Sequence, residues 1–213
     1  MTKSLVFRLW PLLLLPLGWA VVAEPSADSA SPAVTHAEAG VAPGAALVPG
    51  PDPARSAAAF RKVAEVLRHP RCMNCHPAGN FPRQTDRRTP HLMGVVRGAD
   101  DHGVVGMRCA TCHSDENVDE VPGAPHWALA PLSMAWEGLS DAELADSLKD
   151  PAKNGKRSLE QLYDHMANDA LVGWAWEPGG SRRPPPISRA EFARLVREWI
   201  DTGAVSPAPE KQR

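Results

Sequence analysis

The chain has 213 residues, 23 basic and 25 acidic side chains for a formal net charge of −2, seven tryptophans against four phenylalanines, and four cysteines beside eight histidines. That charge excludes a broad nucleic-acid footprint, which needs a strong basic excess. No run of 18 or more apolar residues follows residue 25, which excludes a polytopic membrane protein.

Residues 1–23 read as a signal peptide. Lys3 and Arg8 make a positive start, Leu9 to Val22 a short apolar stretch, and Val21-Val22-Ala23 a small-residue cleavage site. An uncleaved membrane anchor is the alternative. Cleavage removes two basic residues and no acidic one, leaving 21 − 25 = −4. The expected location is the periplasm. From residue 24 to 54, nine Ala, six Pro, three Gly and three Ser fill 21 of 31 positions. Such composition cannot bury enough surface to offset chain entropy, so residues 24–52 are expected to be a disordered linker. Residues 53–207 then form one domain, and 208–213 a disordered tail.

Inside that domain the helix signals are clear. Asp52 and Pro53 open a helix whose apolar face is Phe60, Val63, Ala64 and Leu67, and it should stop at His69 before Pro70. Three capping boxes follow, at Ser140 with Glu143, Ser158 with Gln161 and Ser188 with Glu191. The first helix ends before Pro151. The second carries Leu159, Leu162, Tyr163 and Met166 on one side. The third carries Phe192, Leu195, Val196, Trp199 and Ile200, with Gly203 to terminate it. Residues 76–135 read mostly as loop, a length that calls for something other than side chains to fill the middle.

The cysteines supply that filler. They occur only in Cys72-Met73-Asn74-Cys75-His76 and Cys109-Ala110-Thr111-Cys112-His113, which is C-x-x-C-H twice, the attachment signature of c-type haem. Two thiols three apart reach the two vinyl groups of one porphyrin, and the next residue, His76 or His113, serves as proximal iron ligand. The expected cofactors are therefore two haem c groups. Structural zinc on four thiolates and disulfides in an exported protein are the alternatives. Eight His in 213 residues would follow both motifs by chance only about 0.15% of the time, and 33 residues between Cys75 and Cys109 exceed the usual zinc spacing. The fold class is thus mainly α: a loop-rich di-haem domain with about four short helices packed around two covalent haems.

A second iron ligand could come from His69, His91, His102, His126, His165, Met93, Met107, Met134 or Met166. After His76, 14 residues pass before His91, preceded by Pro90; after His113, 12 pass before His126, preceded by Pro125. This duplicated Pro-His makes His91 and His126 the candidate distal ligands, with Met134, His165 and Met166 as runners-up. Surface hydrogen bonding or core packing are the plain alternatives for each. Trp127, Trp136, Trp174 and Trp176 are expected to line the haems. Arg182 and Arg183, or Arg87 and Arg88, could pair with propionates or simply be solvated.

Further residues carry a family likeness. They are Arg71 to Pro77, Cys109 to His113, Pro122-Gly123-Ala124-Pro125-His126-Trp127, Leu129-Ala130-Pro131 with Met134-Ala135-Trp136, Leu148-Lys149-Asp150-Pro151 with Asn154-Gly155, and His165-Met166 with Leu171-Val172-Gly173-Trp174. On these, residues 71–204 resemble the small di-haem cytochrome c subunits labelled isoquinoline 1-oxidoreductase subunits, which accompany exported bacterial molybdenum hydroxylases. The resemblance implies an electron-transfer protein, not itself an enzyme. It would take electrons from a molybdenum hydroxylase that oxidises an aldehyde or N-heterocycle and pass them to a downstream cytochrome or oxidase. A di-haem peroxidase and a zinc-binding exported protein are the competing functions.

Overall fold

The computed structural model describes residues 50–209. The expected signal peptide, nearly all of the expected linker and the last four residues lie outside the described residues. The first helix, α1 (Pro53–Leu67), starts where expected: the Asp52 carboxylate accepts from the Arg55 N–H at 3.0 Å, and Pro53 stands in the first turn. The single turn α2 (Pro70–Met73) follows. Two antiparallel pairs of two-residue strands come next, β1 (Arg83–Gln84) with β2 (Thr89–Pro90) and β3 (Gly103–Val104) with β4 (Met107–Arg108). The remaining helices are α3 (Asp141–Lys149), α4 (Leu159–Asn168), α5 (Ala170–Gly173) and α6 (Arg189–Asp201). The described chain is therefore helix-rich with few short strands.

The four longer helices build the core. Phe60, Val63 and Leu67 of α1 meet Leu144 and Leu148 of α3, Leu162 and Met166 of α4, and Phe192, Val196 and Trp199 of α6. Phe60 and Trp199 lie with ring centres 4.9 Å apart. Burying each such side chain stabilises the fold by about 1.5–3 kcal/mol before chain entropy is subtracted. The capping boxes at Ser140 and Ser158 are complete. The one at Ser188 is half formed, which departs from expectation. Ser188 accepts from the Glu191 N–H, but both Glu191 oxygens bond Arg194 at 2.7–2.8 Å, a charge-assisted pair stronger than the return bond to a neutral N–H.

The ends of α1 and α6 are tied through one buried hydroxyl. Ser56 Oγ donates to the Trp199 carbonyl at 3.0 Å and accepts from the Val205 N–H at 2.9 Å, while the Asp52 N–H donates to the Thr202 carbonyl. Replacing Ser56 with Ala leaves a buried N–H and carbonyl without that partner. Ser56→Ala is expected to cost about 1–3 kcal/mol, read as a lower urea midpoint at unchanged m-value; an unchanged midpoint would show that the hydroxyl ties nothing.

Candidate functional site

Both cysteine motifs sit in single helical turns. The Cys75 N–H donates to the Cys72 carbonyl at 3.1 Å, and the Cys112 N–H to the Cys109 carbonyl at 3.2 Å. Residues three apart on such a turn share one face, so each pair of sulfurs is presented together. All four are free thiols. Burial, followed by the neighbouring thiol, pushes Cys72 up to about 12 and Cys75 up to about 11. The neighbour that raises Cys75 is Cys109, so the two motifs come within electrostatic range of each other. Among the described residues, no three His, Cys, Asp or Glu side chains converge on one point to hold a metal ion.

The two motif histidines repeat one arrangement. His76 Nδ1 lies 2.8 Å from the Met134 carbonyl oxygen, and its ring stacks on Trp136 with centres 3.4 Å apart and planes at 9°. His113 Nδ1 lies 2.6 Å from the Pro122 carbonyl oxygen, and its ring stacks on Trp127 at 4.6 Å and 11°. A carbonyl only accepts, so each Nδ1 carries the proton, and each neutral ring keeps its lone pair on Nε2. Burial pushes His76 down to about 4, the Met134 bond opposing and His165 and Arg97 adding to the shift. His113 is lowered by burial as well, with His91 among the adding charges. Both rings are neutral at pH 7.

Loops place these contacts. The main-chain N–H of Trp136 donates to the His76 carbonyl at 3.1 Å, so one short segment grips both the ring and the backbone of His76. Beside the second motif, Gly123 lies so close under the Ser114 and Glu116 carbonyls that a Cβ there would collide with both. That close approach lets Pro122 reach His113, and only glycine permits it. Arg97, 6% exposed, binds Asp101 at 2.7 Å, the Gly79 carbonyl at 3.2 Å and the Ala130 carbonyl. It joins the loop after the first motif to the strap that carries Met134 and Trp136.

The other candidates are scattered. His91 follows β2 and faces His113, ring centres 6.1 Å apart. His126 is exposed, at a φ of 62°. His165 is partly buried on α4, with Nδ1 3.3 Å from the Asp169 carboxylate, in electrostatic range of His76 and beside a recess of about 710 Å³. Met166 is in the helical core. Met134 is buried, its main chain holding the Nδ1 side of His76. His69 Nδ1 accepts from the Arg71 N–H, which leaves no lone pair on Nε2 of the neutral ring. Trp174 packs edge-on against Trp127, whereas Trp176 bonds the Ile187 carbonyl and packs on Phe192.

The arginines offered by the sequence are exposed or half-buried and mostly bound to the protein itself. Arg182 clamps carbonyls at Pro178, Gly179 and Glu120, Arg183 pairs with Asp86, and Arg88 with Glu137. The buried ones are Arg97 and Arg71. Arg71, 5% exposed, pairs with Asp86 and lies over the Trp174 ring at 5.8 Å. Its position directly before Cys72 was the only available signal. Compared with protein-family models, curated proteins and solved structures, the chain matches none.

The burial of His76 has a pH signature. Below its ordinary value of 6.5 the unfolded chain takes up a proton that the folded chain refuses until about 4. Stability is therefore full above pH 6.5 and falls as the pH drops toward 4. Urea midpoints of the haem-free chain across this range should slope downward with acid, and His76→Asn should reduce the slope, to which His69, His113 and His165, also lowered by burial, still contribute. A slope unchanged by that substitution would contradict the burial of the ring.

Proposed function

We propose that this chain is an exported di-haem c-type cytochrome that carries electrons. One haem would be held through Cys72 and Cys75 with His76 on its iron, the other through Cys109 and Cys112 with His113. The observation that carries this reading is the repeated arrangement of the two histidines, each turned by a carbonyl on Nδ1 and a tryptophan face so that Nε2 alone is left to bind a metal. Orientation of a ligand histidine by a backbone carbonyl on its other nitrogen is the usual second shell of a metal site.

The residues around the motifs also fit the rest of the group. Trp136 Nε1, Arg71 Nε and Arg97 Nε are buried without any partner. Buried donors cost stability unless something accepts from them, and the carboxylates of a haem are such acceptors. Cys72 and Cys75 hold their protons at neutral pH, and attachment would add each thiol, sulfur and hydrogen together, across a vinyl group with nothing leaving. When bound, haem supplies a one-electron iron couple.

The chain's own part is to hold and space two such groups. The packed run from Arg71 through Trp174 and Trp127 to His113 supports passage of electrons between neighbouring centres. The resemblance noted above supports a molybdenum hydroxylase as donor and a downstream cytochrome or oxidase as acceptor. Among the described residues, no helix is long and apolar enough to cross a membrane. Periplasmic location is proposed from the signal peptide alone.

Intact-protein mass and haem content after co-expression with haem-attachment machinery test the reading. The wild type should carry two covalent haems, and Cys72→Ser/Cys75→Ser or Cys109→Ser/Cys112→Ser one each. A wild-type protein with no covalent haem, or a Cys109→Ser/Cys112→Ser chain that retains two, would overturn it.

A further inference from the structure

His91 stands apart from the other histidines outside the motifs, because it faces a motif ring. It belongs by sequence to the segment after the first motif, yet its partner is His113 of the second. The ring centres are 6.1 Å apart and the planes are inclined at 75°. With a bond of about 2.0 Å from an imidazole nitrogen to a first-row metal ion and about 1.1 Å from that nitrogen to the ring centre, two rings on one ion hold their centres roughly 6 Å apart. The separation already matches.

The protons match too. His91 Nδ1 lies 2.7 Å from the Leu92 carbonyl oxygen, as His113 Nδ1 does from that of Pro122. Both Nδ1 atoms are therefore donors, and both Nε2 atoms keep their lone pairs. Position is secured from the first motif. Buried Asn74, between Cys72 and Cys75, donates through Nδ2 to the Thr85 carbonyl and accepts the Arg83 N–H on its own carbonyl at 3.1 Å. These bonds fix the β1–β2 hairpin, and the His91 N–H closes on the Pro82 carbonyl at 2.9 Å. Leu92 and Met93, directly after the ring, are 69% and 80% exposed. An apolar macrocycle at this place would cover both.

We propose that His91 would hold the second iron together with His113, so that the hairpin held by the first motif would complete the site of the second. This rests on the di-haem reading and adds a crossed ligand to it. His126, by contrast, takes no part. Each unit thus does not supply its own Pro-His ligand. The unit boundary in sequence is bridged by the metal site, and the two centres are mechanically linked.

Spin state tests this on the full-length holoprotein, by electron paramagnetic resonance and near-infrared magnetic circular dichroism. The wild type should hold two covalent haems. His91→Ala should keep both but turn one of the two irons high-spin, with added imidazole restoring it, and His126→Ala should leave both spectra as they were. In His91→Met, one iron alone should gain the near-infrared band of methionine ligation and a higher potential; this variant also serves if the alanine form does not accumulate. In the Cys72→Ser/Cys75→Ser background, His91→Ala should turn the single remaining haem high-spin. Two low-spin irons in both His91 variants with no methionine band, or a high-spin change produced by His126→Ala instead, would overturn the proposal with the haem count intact. A wild type lacking covalent haem would overturn the di-haem reading beneath it.

Discussion

A hydrogen bond from ring Nδ1 to a backbone carbonyl, made once at His76 and once at His113, is the constraint on which the rest of the site depends. Because the carbonyl has no proton to give, the bond chooses the tautomer, and the stacked tryptophan then fixes the plane of the ring. A ring free to flip could put N–H where a lone pair is required. Most of the loop architecture can be read as a means of bringing the carbonyls of Met134 and Pro122 to those two atoms.

Two different scaffolds do this. For His76 the strap from residue 130 to 136 is drawn in by Arg97, whose charge is spread over Asp101 and several carbonyls, and it ends on the helical core through Trp136. For His113 the loop is local, folding back over Gly123 within ten residues. The helices α1, α3, α4 and α6 touch neither bond directly. They close an apolar core of their own, from Phe60 to Trp199, and give the loops a rigid wall to lean on.

The helices were legible because each announces itself locally. Asp52, Ser140 and Ser158 cap the helices they precede, and the periodic faces are the buried faces. Ser188 was legible only in part, since competition from Arg194 for Glu191 is a side-chain choice that spacing does not encode. The motif turns, too, were plain from Cys72 to His76 and Cys109 to His113. What sets the histidines was hidden: the contacts from His76 to Met134 and Trp136 span about sixty residues, and no periodicity relates them. Pairing His91 with His126 by the repeated Pro-His was a reading of sequence spacing. In space one ring faces His113 and the other is exposed, because the β1–β2 hairpin, tied to the first motif through Asn74, brings His91 up to the second. Arg71 and Arg97 were missed for a similar reason, as burial of an arginine depends on acceptors such as Asp86 and Ala130 that lie far along the chain.

The proton on Nδ1 of the two motif histidines is the most direct point at which to test this view. Long-range proton–nitrogen correlation spectra of histidine-labelled protein, recorded in the reduced form with residues assigned by His76→Asn and His113→Asn, read the tautomer of each ring. Both rings are expected to carry a slowly exchanging proton on Nδ1 and none on Nε2. A proton on Nε2 of either ring would contradict the arrangement and remove the nitrogen that an iron at that motif requires.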